Sequence, residues 1–406
     1  MRYNLSMSKT IRKSLLLVLL ICLAIAVLLA GCKSTSVNTK EEIVLQIEKE
    51  GLTHFGNVKL NMRTRDFFRE TDFEYGDAVR VRFLDYDMVV PIVSAFSLLD
   101  IGQTGLDAED LNPEGLSEQI LLFINLDDFA TNYGIATKTV YDDGSWEWFP
   151  CEGIEFPIDV TLTMEEKGAF PEFSGPPMVV YTSRSAYEDL DDYGFTNIRM
   201  VTTPGFGNCF YRGCSPIDDK FNRNKYADAL LDDIGVDIAI NLSDSKNKAE
   251  AFEGYFETYY SHMDIFFNEV GVDYLQPSFK KAFADAFRYI ADNQGVYYVH
   301  CQLGKDRTGI FCAILESLMG ASATQVIEDY MQTFLNFYDM EKDSTKYNVI
   351  SEANICVAMR DLYNLDCDFK DLSTERLHDE TVKFLKSAGL TDDEISRLKK
   401  NLARVR

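Results

Sequence analysis

The sequence predicts an α/β domain, a parallel-type sheet flanked by helices, preceded by a mostly β N-terminal domain. Three observations predict it. Ile154, Phe156, Ile158, Val160, Leu162 and Met164 alternate over eleven residues, the period of a half-buried strand. A helical run, Asn222 to Asp233, precedes an apolar run, Val236 to Leu242; a second helical run opened by Pro277 precedes another at Val296. That β-α-β order gives parallel strands joined by right-handed crossovers. The second apolar run ends in a short loop at Cys301, and a further helical run, Ile310 to Met319, leaves it and stops at Gly320.

At 406 residues the chain is long for one domain, and 46% apolar content supports packed cores. Arg2, Lys9, Arg12 and Lys13 precede sixteen uninterrupted apolar residues, Leu15 to Ala30. Leu29-Ala30-Gly31-Cys32 then looks like a bacterial lipobox, which implies a signal peptide over 1–31 and lipidation of Cys32. Sixteen residues is short for a span. The expected location is the extracytoplasmic face of the cell membrane, held by the lipid anchor alone. Residues 32–50 read as a tether that passes into a short helix, Lys40 to Glu50.

Residues 51–200 form the expected β-rich domain, a small sandwich or barrel. Val79, Val81 and Phe83 alternate with arginines. Asp142-Asp143-Gly144-Ser145 separates Thr137–Tyr141 from Trp146–Phe149, a hairpin pattern. Trp146 and Trp148 are read as half-buried strand aromatics, with a ligand platform as the alternative. The default role of this domain is spacing, or contact with the envelope or an unknown partner. The texture changes at Thr203-Pro204-Gly205-Phe206-Gly207, which places the second domain at 201–406. Within it Asp244 to Val272 reads as a lid or recognition insert. Phe279, Phe283, Phe287 and Ile290 form a core stripe. Ser322-x-x-Gln325 and Thr391-x-x-Glu394 are capping boxes.

The chemistry concentrates in His300-Cys301-Gln302-Leu303-Gly304-Lys305-Asp306-Arg307-Thr308-Gly309. A strand, a short loop and a helix start aim backbone N–H groups at one point, which suits phosphate. A helix N-terminus and nearby cations favour a thiolate at Cys301. Arg307 offers a planar fork for two phosphate oxygens. Gly304 permits a tight turn, Thr308 carries a hydroxyl able to serve the leaving sulfur, and His300 backs the loop. It is not a nucleotide P-loop, because Val299 replaces the first Gly and Asp306 follows the Lys.

This stretch resembles the H-C-x-x-G-x-x-R-[ST]-G signature of cysteine-dependent tyrosine, dual-specificity and phosphoinositide phosphatases, in the Gly-Lys-Asp-Arg-Thr-Gly form of the bacterial tyrosine phosphatase branch. Tyr211-Arg212-Gly213-Cys214-Ser215-Pro216 is similar to that family's Tyr-Arg-Ser-Ser-x-Pro, with Gly213 and Cys214 where serines are common. Asp329-Tyr330 is similar to its Asp-Tyr pair, and Phe384 to Leu402 to its C-terminal ending. The resemblance covers about 200 to 406, roughly half of the chain. It implies a phosphatase domain acting on phosphate monoesters, phosphotyrosine first, through a phosphocysteine on Cys301. Arg307, Lys305 and the amides of Gln302, Leu303 and Gly304 would hold the phosphate, with Thr308 beside them. Arg212 would reach the active site or fix a loop through carbonyls, and Asp329 would bond the loop or its supports. Asp306, inside the loop, is the branch-specific candidate for the general acid; Asp273 and Asp264 are rivals.

No cofactor or metal is expected, since His54, His262, His300 and His378 give no ligand pattern. The net charge of −25 becomes −29 when the four cations of residues 1–31 are removed, which argues against nucleic acid as a partner. It also argues against heavily phosphorylated substrates. The expected partner is a phosphorylated protein or small phosphomonoester; inositol phosphates, or a phospho-ligand held without turnover, are the alternatives. Cys209 and Cys214 are read either as a pair or as two buried free thiols.

Overall fold

The computed structural model describes residues 42–108, 118–141, 145–338 and 340–406. The expected signal segment, the lipid site Cys32 and the start of the tether lie outside the described residues. No helix among the described residues is long and apolar enough to cross a membrane.

The first half is a closed barrel. Its strands are β1 (Glu42–Leu52), β2 (Val58–Arg63), β3 (Ala78–Phe83), β4 (Tyr86–Val93), β5 (Thr104–Asp107) and β6 (Gln119–Ile124). After the hairpin of β7 (Ala136–Val140) and β8 (Trp146–Pro150), β9 (Ile158–Glu166) completes it. The order around the barrel is β1-β2-β6-β5-β4-β3-β9. Only the β4–β5 pair is parallel among these neighbours. Alternation sets the inner face: Val79, Val81 and Phe83 on β3 and Ile158, Val160 and Leu162 on β9 are buried together. Closure leaves these strands no open edge.

One expectation is corrected here. Lys40 to Glu50 was expected to be helical because it is rich in Lys and Glu, yet its described part belongs to β1. Leu45 and Ile47 recur at period two and enter the barrel core, while β9 and β2 supply ladder partners on both sides. Pairing in three dimensions overrides the local helix preference.

The second half is built on a five-stranded sheet. Its strands are β10 (Arg199–Met200), β11 (Phe210–Gly213), β12 (Ile238–Asn241), β13 (Asp264–Phe267) and β14 (Tyr297–His300), in the order β10-β11-β14-β12-β13. The last four in that order run parallel and β10 is an antiparallel edge. The segment 244–272 is therefore no free lid: it carries β13, paired along β12 from Ile238↔Asp264 to Asn241↔Phe267. Its helical and 3₁₀ turns hid a four-residue strand.

Both faces of the sheet are covered. α1 (Asn224–Ile234) packs with Ala239 and Tyr298 on one face. On the other, Ile238, Ile240, Tyr297 and Val299 join α2 (Pro277–Asp292), α3 (Asp306–Met319) and α4 (Ala323–Phe337). Phe311 of α3 meets Phe283 and Phe287 of α2 at centroid distances of 5.1 and 4.6 Å. α3 is buried at every position from Thr308 to Leu318, as a central helix must be. α5 (Thr374–Ser387) and α6 (Asp392–Leu402) close this side. The capping boxes Ser322–Gln325 and Thr391–Glu394 are both formed.

The two halves are fastened by buried polar contacts. Asn125 Nδ2 donates to Asn354 Oδ1 at 3.2 Å, and Asn354 Nδ2 donates to the Ser97 carbonyl at 2.7 Å. The Ile101 amide donates to the Ala353 carbonyl at 3.1 Å. Val93, Leu98 and Phe123 extend the barrel end into the core of the second half. Phe173, Met178 and Val180 also belong to that core, so the packing changes hands near 170, before the compositional change near 200.

Candidate active site

β14 is the central strand, flanked by β11 and β12, and all four of its residues are buried. The loop that follows opens at the C-terminal end of the sheet, where open α/β sheets present ligand sites. The helix begins at Asp306, with Lys305 as its N-cap residue. Gly304 adopts φ +68°, and a Cβ there would lie 2.2 Å from the Gly213 carbonyl oxygen, so glycine is required twice over. The amides of Gln302, Leu303 and Gly304 donate to no acceptor among the described residues. Free amides beside a helix start form an anion-binding nest.

Behind the loop His300, Arg212 and Asp329 are engaged in hydrogen bonds. His300 is fully buried, and burial pushes its pKa down to about 4, so the ring is neutral. Nδ1 lies 3.2 Å from the Cys301 carbonyl oxygen, which can only accept. Nδ1 therefore carries the proton, and Nε2 accepts from the Tyr260 hydroxyl at 2.8 Å. Asn241 Nδ2 donates to that hydroxyl in turn, at 3.1 Å. Arg212, also fully buried, donates to the Gly304 carbonyl at 2.9 Å and to Asp329. Arg199 donates to the other Asp329 oxygen at 2.8 Å. Burial alone would raise the Asp329 carboxyl; the two guanidiniums hold it well below the usual range. Of the two roles open to Arg212, the geometry gives the carbonyl anchor, and Asp329 reaches the loop through Arg212. Glu316 is buried beside them, and burial pushes its carboxyl far up, so it is a neutral acid.

In front of the loop lies a cleft of about 760 Å³. Gln302 and Arg307 line it; Cys301, just before Gln302, is 3% exposed and lies behind the lining residues. Arg307 Nη1 donates to the Leu242 and Val270 carbonyls at 3.0 and 3.1 Å, which orients the guanidinium at the cleft. Asp218 accepts from Gln302 Nε2 at 2.7 Å. Asp273 also lines the cleft; its Oδ1 accepts only the Leu275 amide, at 3.1 Å, and it pairs with no cation among the described residues.

Several expected positions lie elsewhere. Asp306 and Lys305 do not line the cleft. Asp306 is one helical step, about 100°, from Arg307, and only one of the two can face the ligand. Lys305 turns toward α4, over the rings of Phe334 and Tyr338 at 5.4 and 5.9 Å, with Asp306 at 3.9 Å. The Thr308 hydroxyl is buried with no partner, so no hydrogen bond to the Cys301 sulfur forms here. Leu303 packs on the helical core. Asp264 begins β13, at the opposite end of the sheet from the loop. Cys209 and Cys214 are free and buried.

What the sequence reading missed is the barrel's share. His54, Lys138 and Trp146 line the same cleft. The two tryptophans of the hairpin divide: Trp148 enters the barrel core, where Nε1 donates to the Thr53 carbonyl at 3.0 Å, while Trp146 stays 39% exposed at the cleft. Alternation along β8 was the available signal, but it does not say what the outer face meets.

Residues 221–404, just under half of the chain, match the model of the tyrosine phosphatase family. No curated protein matches the chain. Among solved structures, it is similar to the core catalytic domain of the PP-IP phosphatase SIW14 from S. cerevisiae in complex with citrate. That likeness has 15% identity and a TM-score of 0.25, and covers 37% of this chain and 86% of that one. An uncharacterized conserved protein from Thermotoga maritima shows 16% identity and a TM-score of 0.21, with 30% of this chain and 35% of that one covered. The chain thus spans about a third of the Thermotoga protein. The family match and the loop in its strand–helix setting support a phosphatase-type domain over residues 221–404.

Proposed function

We propose that the protein dephosphorylates phosphotyrosine or a similar monoester through a phosphocysteine on Cys301. The observation that carries this is the loop itself: three amides with no acceptor among the described residues and a carbonyl-clamped Arg307 follow Cys301 at the end of the central strand. The Cys301 thiolate attacks phosphorus in line, and the P–O bond to the leaving group breaks. Arg307 and the amides hold the equatorial oxygens. Asp273 protonates the departing oxygen, then takes a proton from the water that cleaves the phosphocysteine, releasing phosphate and the thiolate. Asp273 replaces Asp306 as the proposed acid because it faces the cleft without a cation partner.

Cys301→Ser is expected to abolish hydrolysis of p-nitrophenyl phosphate; wild-type turnover would end the covalent scheme. Asp273→Asn should lower kcat by about 10²-fold and remove the basic limb of the pH–rate profile. An unchanged profile would return the role to another carboxylate. We also propose that Cys32 carries a lipid holding the enzyme outside the cytoplasmic membrane. Metabolic labelling with a fatty-acid analogue tests this, since label retained by Cys32→Ser contradicts it.

A further inference from the structure

The barrel reaches the cleft through preformed parts. The turn after β1 presents His54 and the hairpin presents Trp146, their rings 5.4 Å apart. Lys138 Nζ donates to the His54 carbonyl at 2.8 Å and so holds that turn. The hydrogen bonds at Asn125, Asn354 and Ser97 tie the barrel that carries this wall to the second half. Arg307 contributes to the electrostatic field at His54, which places barrel and phosphate loop on one small volume.

The charges on that volume are uneven. Lys248 is taken by Asp244 and Glu269, at 3.4 and 3.6 Å. Asp127 of the barrel and Asp273 of the second half feel one another, and neither pairs with a cation among the described residues. Burial first, and Asp273 later among the causes, pushes the Asp127 carboxyl up. Once Asp273 has given its proton to the leaving group, the two carboxylates brought in from the two halves favour a positive group between them.

We propose that the barrel is the leaving-group wall of the active site, with His54 and Trp146 packing on the organic part of the substrate and Asp127 with Asp273 favouring a cationic group on it. The substrate class is a monophosphate ester with a planar leaving group and a positively charged remainder, such as a phosphotyrosyl residue next to lysine in a short peptide. This rests on the phosphatase reading. A cleft of about 760 Å³ has room for more than a phosphate and one ring.

The test uses the full chain and compares kcat/KM for two phosphotyrosyl peptides, one with lysine and one with glutamate beside the phosphotyrosine, with inositol hexakisphosphate as a third substrate. The wild type should prefer the lysine peptide. Asp127→Asn should reduce that preference about fivefold. Trp146→Ala should raise KM for both peptides about tenfold. Val44→Ala, an exposed barrel position outside the cleft, should change neither. The lysine-to-glutamate ratio is internal to each preparation, so partial misfolding does not move it. An unchanged ratio in Asp127→Asn with unchanged KM in Trp146→Ala overturns the proposal, and so does faster turnover of inositol hexakisphosphate than of the lysine peptide. Loss of the phosphatase reading would appear separately, as activity surviving Cys301→Ser.

Discussion

Arg307 and Arg212 stand on opposite sides of one loop and do opposite work. Arg212 is fully buried, committed to Asp329 and to the Gly304 carbonyl, with only Nε unpartnered. Arg307 is half-buried, oriented through Nη1 alone, and faces the cleft. One guanidinium is satisfied in the folded chain; the other is poised for an anion. The satisfied back keeps the front in place, because a loop with free amides has nothing of its own to hold its shape.

Substituting each arginine separates the two roles. Arg307→Ala should cost turnover about 10³-fold or more while thermal stability changes by about 1 kcal/mol at most. Arg212→Met should act on stability first, with turnover falling only as the loop loses its brace. It leaves part of a buried carboxylate uncompensated and should cost about 3–5 kcal/mol in urea unfolding. If Arg212→Met kept wild-type stability, the back of the loop would not be its support.

Gly304→Ala probes the joint between back and front. A side chain at φ +68°, forced against the Gly213 carbonyl, should cost about 2–3 kcal/mol and disturb the amide nest. Calorimetry with p-nitrophenyl phosphate assays would read both losses; a fully stable, fully active variant would show that the tight approach is dispensable.

The smallest effect is a pH dependence written into the back. His300 has a folded pKa near 4 against about 6.5 when unfolded. The unfolded chain therefore binds the extra proton between those values, and stability is fully present above about pH 6.5 and lost as pH falls through 4. Unfolding free energy should drop by about 2 kcal/mol from pH 7 to pH 5, and His300→Asn should flatten that slope. The half-buried His54, with its pKa also pushed down to about 4, bends the curve the same way to a smaller extent.

Legibility differed in the same way between regions. The loop, its strand and its helix were readable because their residues are contiguous, and the core stripes because alternation and helical period survive in any environment. Which way Asp306 and Lys305 face was not legible, because adjacency in sequence does not say which side of a helix start meets the cleft. β13 was missed since four residues carry too little period, and β1 because its Lys and Glu residues outvoted Leu45 and Ile47 locally.

The chain alone determined a thiol, an arginine and a glycine at the spacing of a phosphate loop, along with two halves of different secondary structure. Tertiary structure decided which carboxylate faces the cleft, that Arg212 and Asp329 brace the loop from behind, and that His54 and Trp146 stand opposite it. Those relations join residues up to some 250 positions apart, and only long-range packing brings such side chains to one place.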